Sequence, residues 1–145
     1  MLADFYHLAS SPLERVLPQI CEKVLGGGDR LLVVAEPALL DQLDAQLWNY
    51  ARDGFLPHGK SEGASPVTQP ILLSSICEPL NAATHIALAD GVWRDEALAF
   101  SRAFYFFDEE RRDDARAAWR ALADNDAVER RYWKQDEAGK WVQGP

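Results

Sequence analysis

The sequence predicts an α/β fold in which a mainly parallel sheet is flanked by helices. Three observations carry that prediction. Apolar runs of strand character alternate with helical periodicity in a β-α-β-α order, which builds a parallel sheet covered by helices. Arg30 to Ala35 (RLLVVA) is a short apolar run with β-branched residues, suited to a strand buried on both faces. The late run Ala103 to Phe107 (AFYFF) leads directly into a charged helix.

In chain order, Ala3 to Leu8 (ADFYHL) reads as the first strand. Ser11 is placed to cap the next helix, with Pro12 at its first helical position. Leu13, Val16, Leu17, Ile20, Val24 and Leu25 recur at helical spacing, with Pro18 awkward among them, and Gly26-Gly27-Gly28 stops the run. After the RLLVVA strand, Glu36-Pro37 opens a helix whose apolar side is Leu39, Leu40, Leu43, Leu47 and Trp48. Ala51 to Pro70 reads as a loop rich in Gly, Ser and Pro, holding one apolar island, Phe55-Leu56-Pro57-His58. Ile71 to Ser75 and His85 to Ala89 read as strands, and Trp93 to Phe100 as a short helix. The tail from Glu129 to Pro145 carries Tyr132, Trp133 and Trp141 among charges, and reads as either a packed terminal turn or a loose end.

Composition narrows the function classes. A chain of 145 residues that is 48% hydrophobic can form one domain, 1–145, with a substantial core. A formal net charge of -8 speaks against broad binding to nucleic acid, so no strong direct DNA binding is expected. Cys21 and Cys77 are too few for a disulfide framework and fit a reducing compartment. The start, MLADFYHL, has neither the basic region nor the apolar run of a signal peptide, and no stretch approaches a membrane span. A cytoplasmic protein is expected.

The element order invites a test for nucleotide binding. Such sites need a glycine-rich turn between the first strand and its helix, so that backbone N–H groups can approach phosphates. Here that turn is Ala9-Ser10-Ser11-Pro12, and the second such turn is Ala35-Glu36-Pro37. Neither holds a glycine, and the second adds a carboxylate. The glycine cluster at 26–28 follows a helix rather than a strand. The expectation is therefore a Rossmann-like sheet without a nucleotide site. His7, His58 and His85 are scattered, and no regular spacing of Cys, His and carboxylates suggests a metal. No acid–base pair or nucleophile motif stands out, so no catalytic residue, cofactor or metal is expected.

Asp108 to Ala123 (DEERRDDARAAWRALA) is the most unusual stretch. Asp108 can cap it, Glu109 and Glu110 suit the positive end of the helix dipole, and its alanines favour helix. Arg112, Arg116 and Arg120 stand at i, i+4 and i+8, with Trp119 beside the last two, while Ala115, Ala118 and Leu122 make a thin buried stripe. Two readings stay open. The arginines pair with Glu109 and Asp113 on a solvated face, or they form a socket for an anionic, partly apolar ligand.

Several stretches together resemble the chi subunit of bacterial DNA polymerase III holoenzyme. They are ADFYHL, RLLVVAEPALLDQLDAQLW, FLPHG at 55–59, FSRAFYFFDEE and ARAAWRA, followed by a tail containing Trp. LDAQLW followed shortly by FLPH is the most specific of them. The resemblance implies a non-catalytic, replisome-associated adaptor of the clamp-loader assembly with two partners. One is the psi subunit. The other is single-stranded DNA-binding protein, whose acidic C-terminal tail ends in an apolar residue and a free carboxylate. Carried over by motif, the tail pocket would comprise Trp48, Phe55, Arg112, Arg116, Trp119 and Arg120. Where the family often has Tyr and Lys near the end of this helix, Trp119 and Arg120 keep an aromatic and a cation. From the residues alone, Trp48 also fits a core position and Phe55 a loop plug. The alternative to the adaptor is a small cytosolic α/β enzyme, which would need a deep pocket at the C-terminal ends of the strands with a His or Cys near a carboxylate.

Overall fold

The structure, a computed structural model, describes residues 1–50, 56–63 and 65–144. Its centre is an 8-stranded sheet in the order β3-β4-β2-β5-β6-β1-β7-β8. The strands are β1 (Leu2–His7), β2 (Leu31–Val34), β3 (His58–Lys60), β4 (Ile71–Ser74), β5 (His85–Leu88), β6 (Arg102–Phe107), β7 (Glu129–Gln135) and β8 (Trp141–Gln143). Every pairing is parallel except the terminal β7–β8 hairpin. The predicted α/β class is thus observed, and β2 is buried at all four positions, as its unbroken apolar run requires.

Alternation along the strands divides the core in two. Tyr6, Leu31, Val33, Ile71, Leu73, Phe104 and Phe106 face α1 (Leu13–Gly26) and α2 (Pro37–Tyr50). Phe5, Leu32, Val34, Leu72, Ile86, Tyr105 and Phe107 face α3 (Arg112–Ala121) on the other side. This is the period-2 geometry of strands between two helical layers.

Several local expectations need correction. Ser11 does not cap α1: the residue before the helix is Pro12, and no side chain supplies a capping bond. The Ser11 hydroxyl instead accepts from Gln135 Nε2 at 2.9 Å, while Gln135 Oε1 takes the N–H groups of Ser10 and Ser11. Pro18 stays inside α1, where it leaves the carbonyl of the exposed Glu14 without its helical donor. The supposed loop before Pro70 contains β3, an edge strand paired with β4 from His58↔Ile71 to Lys60↔Leu73. The stretch from Trp93 to Phe100 holds only a 3-10 turn, Asp95–Ala99. The tail is a hairpin built into the sheet, with β7 running beside β1 from Leu2↔Glu129 to Tyr6↔Trp133.

The Asp4 carboxylate ties this end of the sheet together. Its residue has 0% exposure. Arg131 Nε donates to Oδ1 at 2.7 Å, Trp133 Nε1 donates to Oδ1 at 3.0 Å, and Arg102 Nε donates to Oδ2 at 2.9 Å. Neighbouring strands on both sides of β1 therefore share one buried anion. Burial raises the carboxyl pKa, but the bonds from Arg131, Trp133 and Arg102 outweigh it and hold the group below its ordinary value. A depressed folded-state pKa contributes stability above the unfolded value and loses it as pH falls through the folded one. Asp4→Asn should cost about 2–3 kcal/mol at pH 7, below the usual penalty for a broken buried pair because both arginines can rehydrate. Urea melts at pH 7 and pH 3 check this: the variant should lose less stability between the two than the parent does.

Candidate functional site

The arginine-bearing helix forms as its residues require. Asp108 Oδ1 accepts from the Arg111 backbone N–H at 3.3 Å and caps a 3-10 turn, Glu109–Arg111, that runs into α3. A second 3-10 turn, Leu122–Asp124, follows, and Asn125 Oδ1 then takes the Ala127 N–H at 3.0 Å to close the segment. Ala115, Ala118 and Leu122 are buried, and Arg112, Arg116 and Arg120 are exposed, so the expected division of faces is present. The α-helix is shorter than its sequence pattern because both ends tighten into 3-10 geometry.

The stripe's ion pairing is incomplete. Arg112 meets Glu109 at 3.3 Å, an exposed pair of small energetic weight. Arg111 meets Asp114 at 3.3 Å. Among the described residues Arg116 and Arg120 make no ion pair, contrary to a face fully neutralised by its own carboxylates.

Trp119 is not an open ring beside the arginines. It is half-buried, set edge-on to Phe5 at 5.2 Å and to Tyr132 at 5.9 Å. The cation over it is Arg130 of β7, with its guanidinium carbon 4.2 Å from the ring centroid and Nη1 donating to the Trp119 carbonyl at 2.6 Å. Position 119 lies one turn from Ala115, at the border of the buried stripe, so its ring leans onto the sheet. Tyr132 also packs against Phe107, with ring centroids 6.0 Å apart. Burial raises its phenol pKa, while Arg112 and Arg116 are close enough to oppose the rise. No local pattern assigns Arg130 or Tyr132 to this face, because only the β1–β7 pairing carries them to α3.

The structure does not gather all the expected residues into one pocket. Trp48 lies on α2, whose buried residues belong to the opposite sheet face from those of α3. It is 56% exposed rather than core, and its ring sits 4.7 Å from that of His58 on the edge strand β3. The strands nearest Trp48 and those nearest Trp119 stand at opposite ends of the sheet order. Trp48 and the α3 arginines therefore stand on opposite faces of the sheet. Phe55 lies outside the described residues.

A cleft of about 640 Å³ opens at the C-terminal ends of the strands. Glu14, Glu36, Asp90, Asp108 and Glu110 line it with Arg111 and apolar Leu8, Leu13 and Leu39. Asp90 accepts from both Arg94 Nη1 and Nη2 at 2.9 Å, and its Oδ2 takes the Glu36 backbone N–H at 3.1 Å. The amide at the start of α2, where a phosphate would bind, is thus occupied by a carboxylate of the chain itself. Among the described residues no His or Cys lines this cleft. Among the described residues no cluster of His, Cys, Asp and Glu could hold a metal ion. None of their helices is long and apolar enough to cross a membrane.

Gly91 packs against the side chain of Arg111, the residue before α3. Its φ is +78°, its carbonyl accepts from the Tyr105 hydroxyl at 2.6 Å, and a Cβ there would meet Arg111 Cγ at 2.5 Å. Gly91→Ala should lower stability by about 1–2 kcal/mol through the left-handed backbone alone. A chemical denaturation midpoint unchanged from the parent would contradict that constraint.

Comparison with known proteins adds one match. Residues 1–128 match the family described as DNA polymerase III chi subunit, HolC. No curated protein matches the chain.

Proposed function

This chain belongs to the DNA polymerase III chi subunit family, and we propose that within the polymerase assembly it acts as a non-catalytic adaptor for single-stranded DNA-binding protein and the psi subunit. Family membership makes it a DNA polymerase III subunit serving DNA replication. The observation that carries the finer reading is the exposed basic face of α3, where Arg116 and Arg120 make no ion pair among the described residues, in a chain of net charge -8. An acidic tail brings several carboxylates to that face. Arginine holds a carboxylate through two parallel hydrogen bonds, stronger than neutral ones. The half-buried Trp119 offers apolar surface to the tail's terminal side chain.

The same geometry supports a division of labour. Trp48 lies on the other sheet face and so leaves the tail pocket to α3 and its neighbours. Its ring is exposed beside His58, which supports reading this second surface as the one the psi subunit uses, with both partners held at once. Overall negative charge slows encounter with an acidic peptide, so the local cluster must supply the attraction, and that attraction is screened by salt.

Titration with a short acidic peptide ending in an apolar residue and a free carboxylate tests this, followed by tryptophan fluorescence at two salt concentrations. Binding should weaken as salt rises, and Arg120→Ala should reduce affinity about tenfold, as for loss of a charge-assisted bond. Trp48→Ala should weaken capture of psi rather than of the peptide. A folded protein that ignores the peptide, or binds it equally at both salt concentrations, would overturn the reading.

A further inference from the structure

The family match ends at residue 128, and β7 begins at Glu129. The hairpin beyond the match is nevertheless continuous with the sheet, since β7 pairs in parallel with β1 over five residues. Strand alternation gives it two sides. Arg131 and Trp133 turn toward Asp4, and Arg130 and Tyr132 turn toward α3.

Two features of the second side point beyond packing. Arg130 stacks on Trp119 and donates to its carbonyl, so it fixes the aromatic that borders the arginine stripe. Tyr132 is held on three sides: its ring contacts Trp119 and Phe107, and its carbonyl accepts from the Gly144 N–H at 2.7 Å. Its hydroxyl makes no hydrogen bond among the described residues, and its ring lies against Trp119 of the arginine-bearing helix at 5.9 Å. A phenol held against the arginine-bearing helix and lacking an internal acceptor is a preorganised donor for an anion.

We propose that the β7–β8 hairpin completes the peptide-binding face, with the Tyr132 hydroxyl donating to a carboxylate of the acidic peptide beside Arg116 and with Arg130 as the positioning residue for Trp119. This rests on the reading that α3 receives the acidic tail. The ligand is an acidic peptide with a free C-terminus, matched to the excess positive charge of the Arg112, Arg116 and Arg120 stripe. The hairpin thereby adds a determinant of affinity that the family-matched segment does not contain.

The test titrates the full chain with a fluorescein-labelled acidic peptide, free or amidated at its C-terminus, and reads anisotropy. Tyr132→Phe keeps the ring and should fold normally, yet it should bind about tenfold more weakly, as for loss of a hydrogen bond to a charged acceptor. Arg130→Gln should weaken binding and shift the emission of the tryptophans, and Arg130→Lys should restore part of both. If the parent binds and Arg116→Ala abolishes binding, but Tyr132→Phe binds like the parent, the hairpin role is overturned while the α3 reading stands. If the parent itself does not bind, both fall together.

Discussion

A buried carboxylate holds this sheet in register. Asp4 lies on β1, the strand that joins β6 to β7, and has no exposure to water. A lone carboxylate in that position would cost several kcal/mol, which is why it occurs only with a full set of donors. Arg102 supplies them from one side, and Arg131 and Trp133 from the other. Both guanidiniums keep an exposed flank, so the extra positive charge stays hydrated. Once Asp4 has fixed the register of β7, alternation decides what its opposite side presents. Arg130 and Tyr132 then have nowhere to point but toward α3.

The charge distribution follows the same layered plan. Acidic groups collect in the cleft at the C-terminal ends of the strands, where related sheets bind ligands. There Asp90 takes the Glu36 amide and is itself held by Arg94, so that amide is consumed internally. Positive charge is instead displayed along α3, outside that cleft and backed by the aromatic layer of Phe5, Tyr105, Phe107 and Trp119. A low-dielectric aromatic floor beneath arginines strengthens their hold on a carboxylate relative to a fully solvated helix. Trp48, on the far side of the sheet, belongs to a different surface, and the proposed adaptor role draws on that separation.

Legibility from the sequence differed sharply between elements. Helices α1 and α2 and the strands β1, β2, β4, β5 and β6 carry strong periodic or continuous apolar signals, because each is buried on one or both sides. β7 carries none. Its residues ERRYWKQ mix charge and aromatics on both faces, since one side answers Asp4 and the other answers Trp119. β3 is three residues long with a glycine at its centre, and only its pairing with β4 makes it a strand. The spacing of Arg112, Arg116 and Arg120 was readable because a helix places such residues on one face by geometry alone.

The sequence by itself therefore determined the α/β class, the lack of a phosphate-binding turn and the basic stripe of α3. Each of these depends on short-range periodicity or on the residues of one turn. Tertiary structure alone decided that Trp48 and the arginines face opposite sides of the sheet, that Arg130 covers Trp119, and that the tail is a hairpin. Those outcomes depend on strand order and on one buried ion-pair network joining residues more than a hundred positions apart. No local pattern encodes such a pairing, because the energy of burying Asp4 with its partners exists only once the three strands have met.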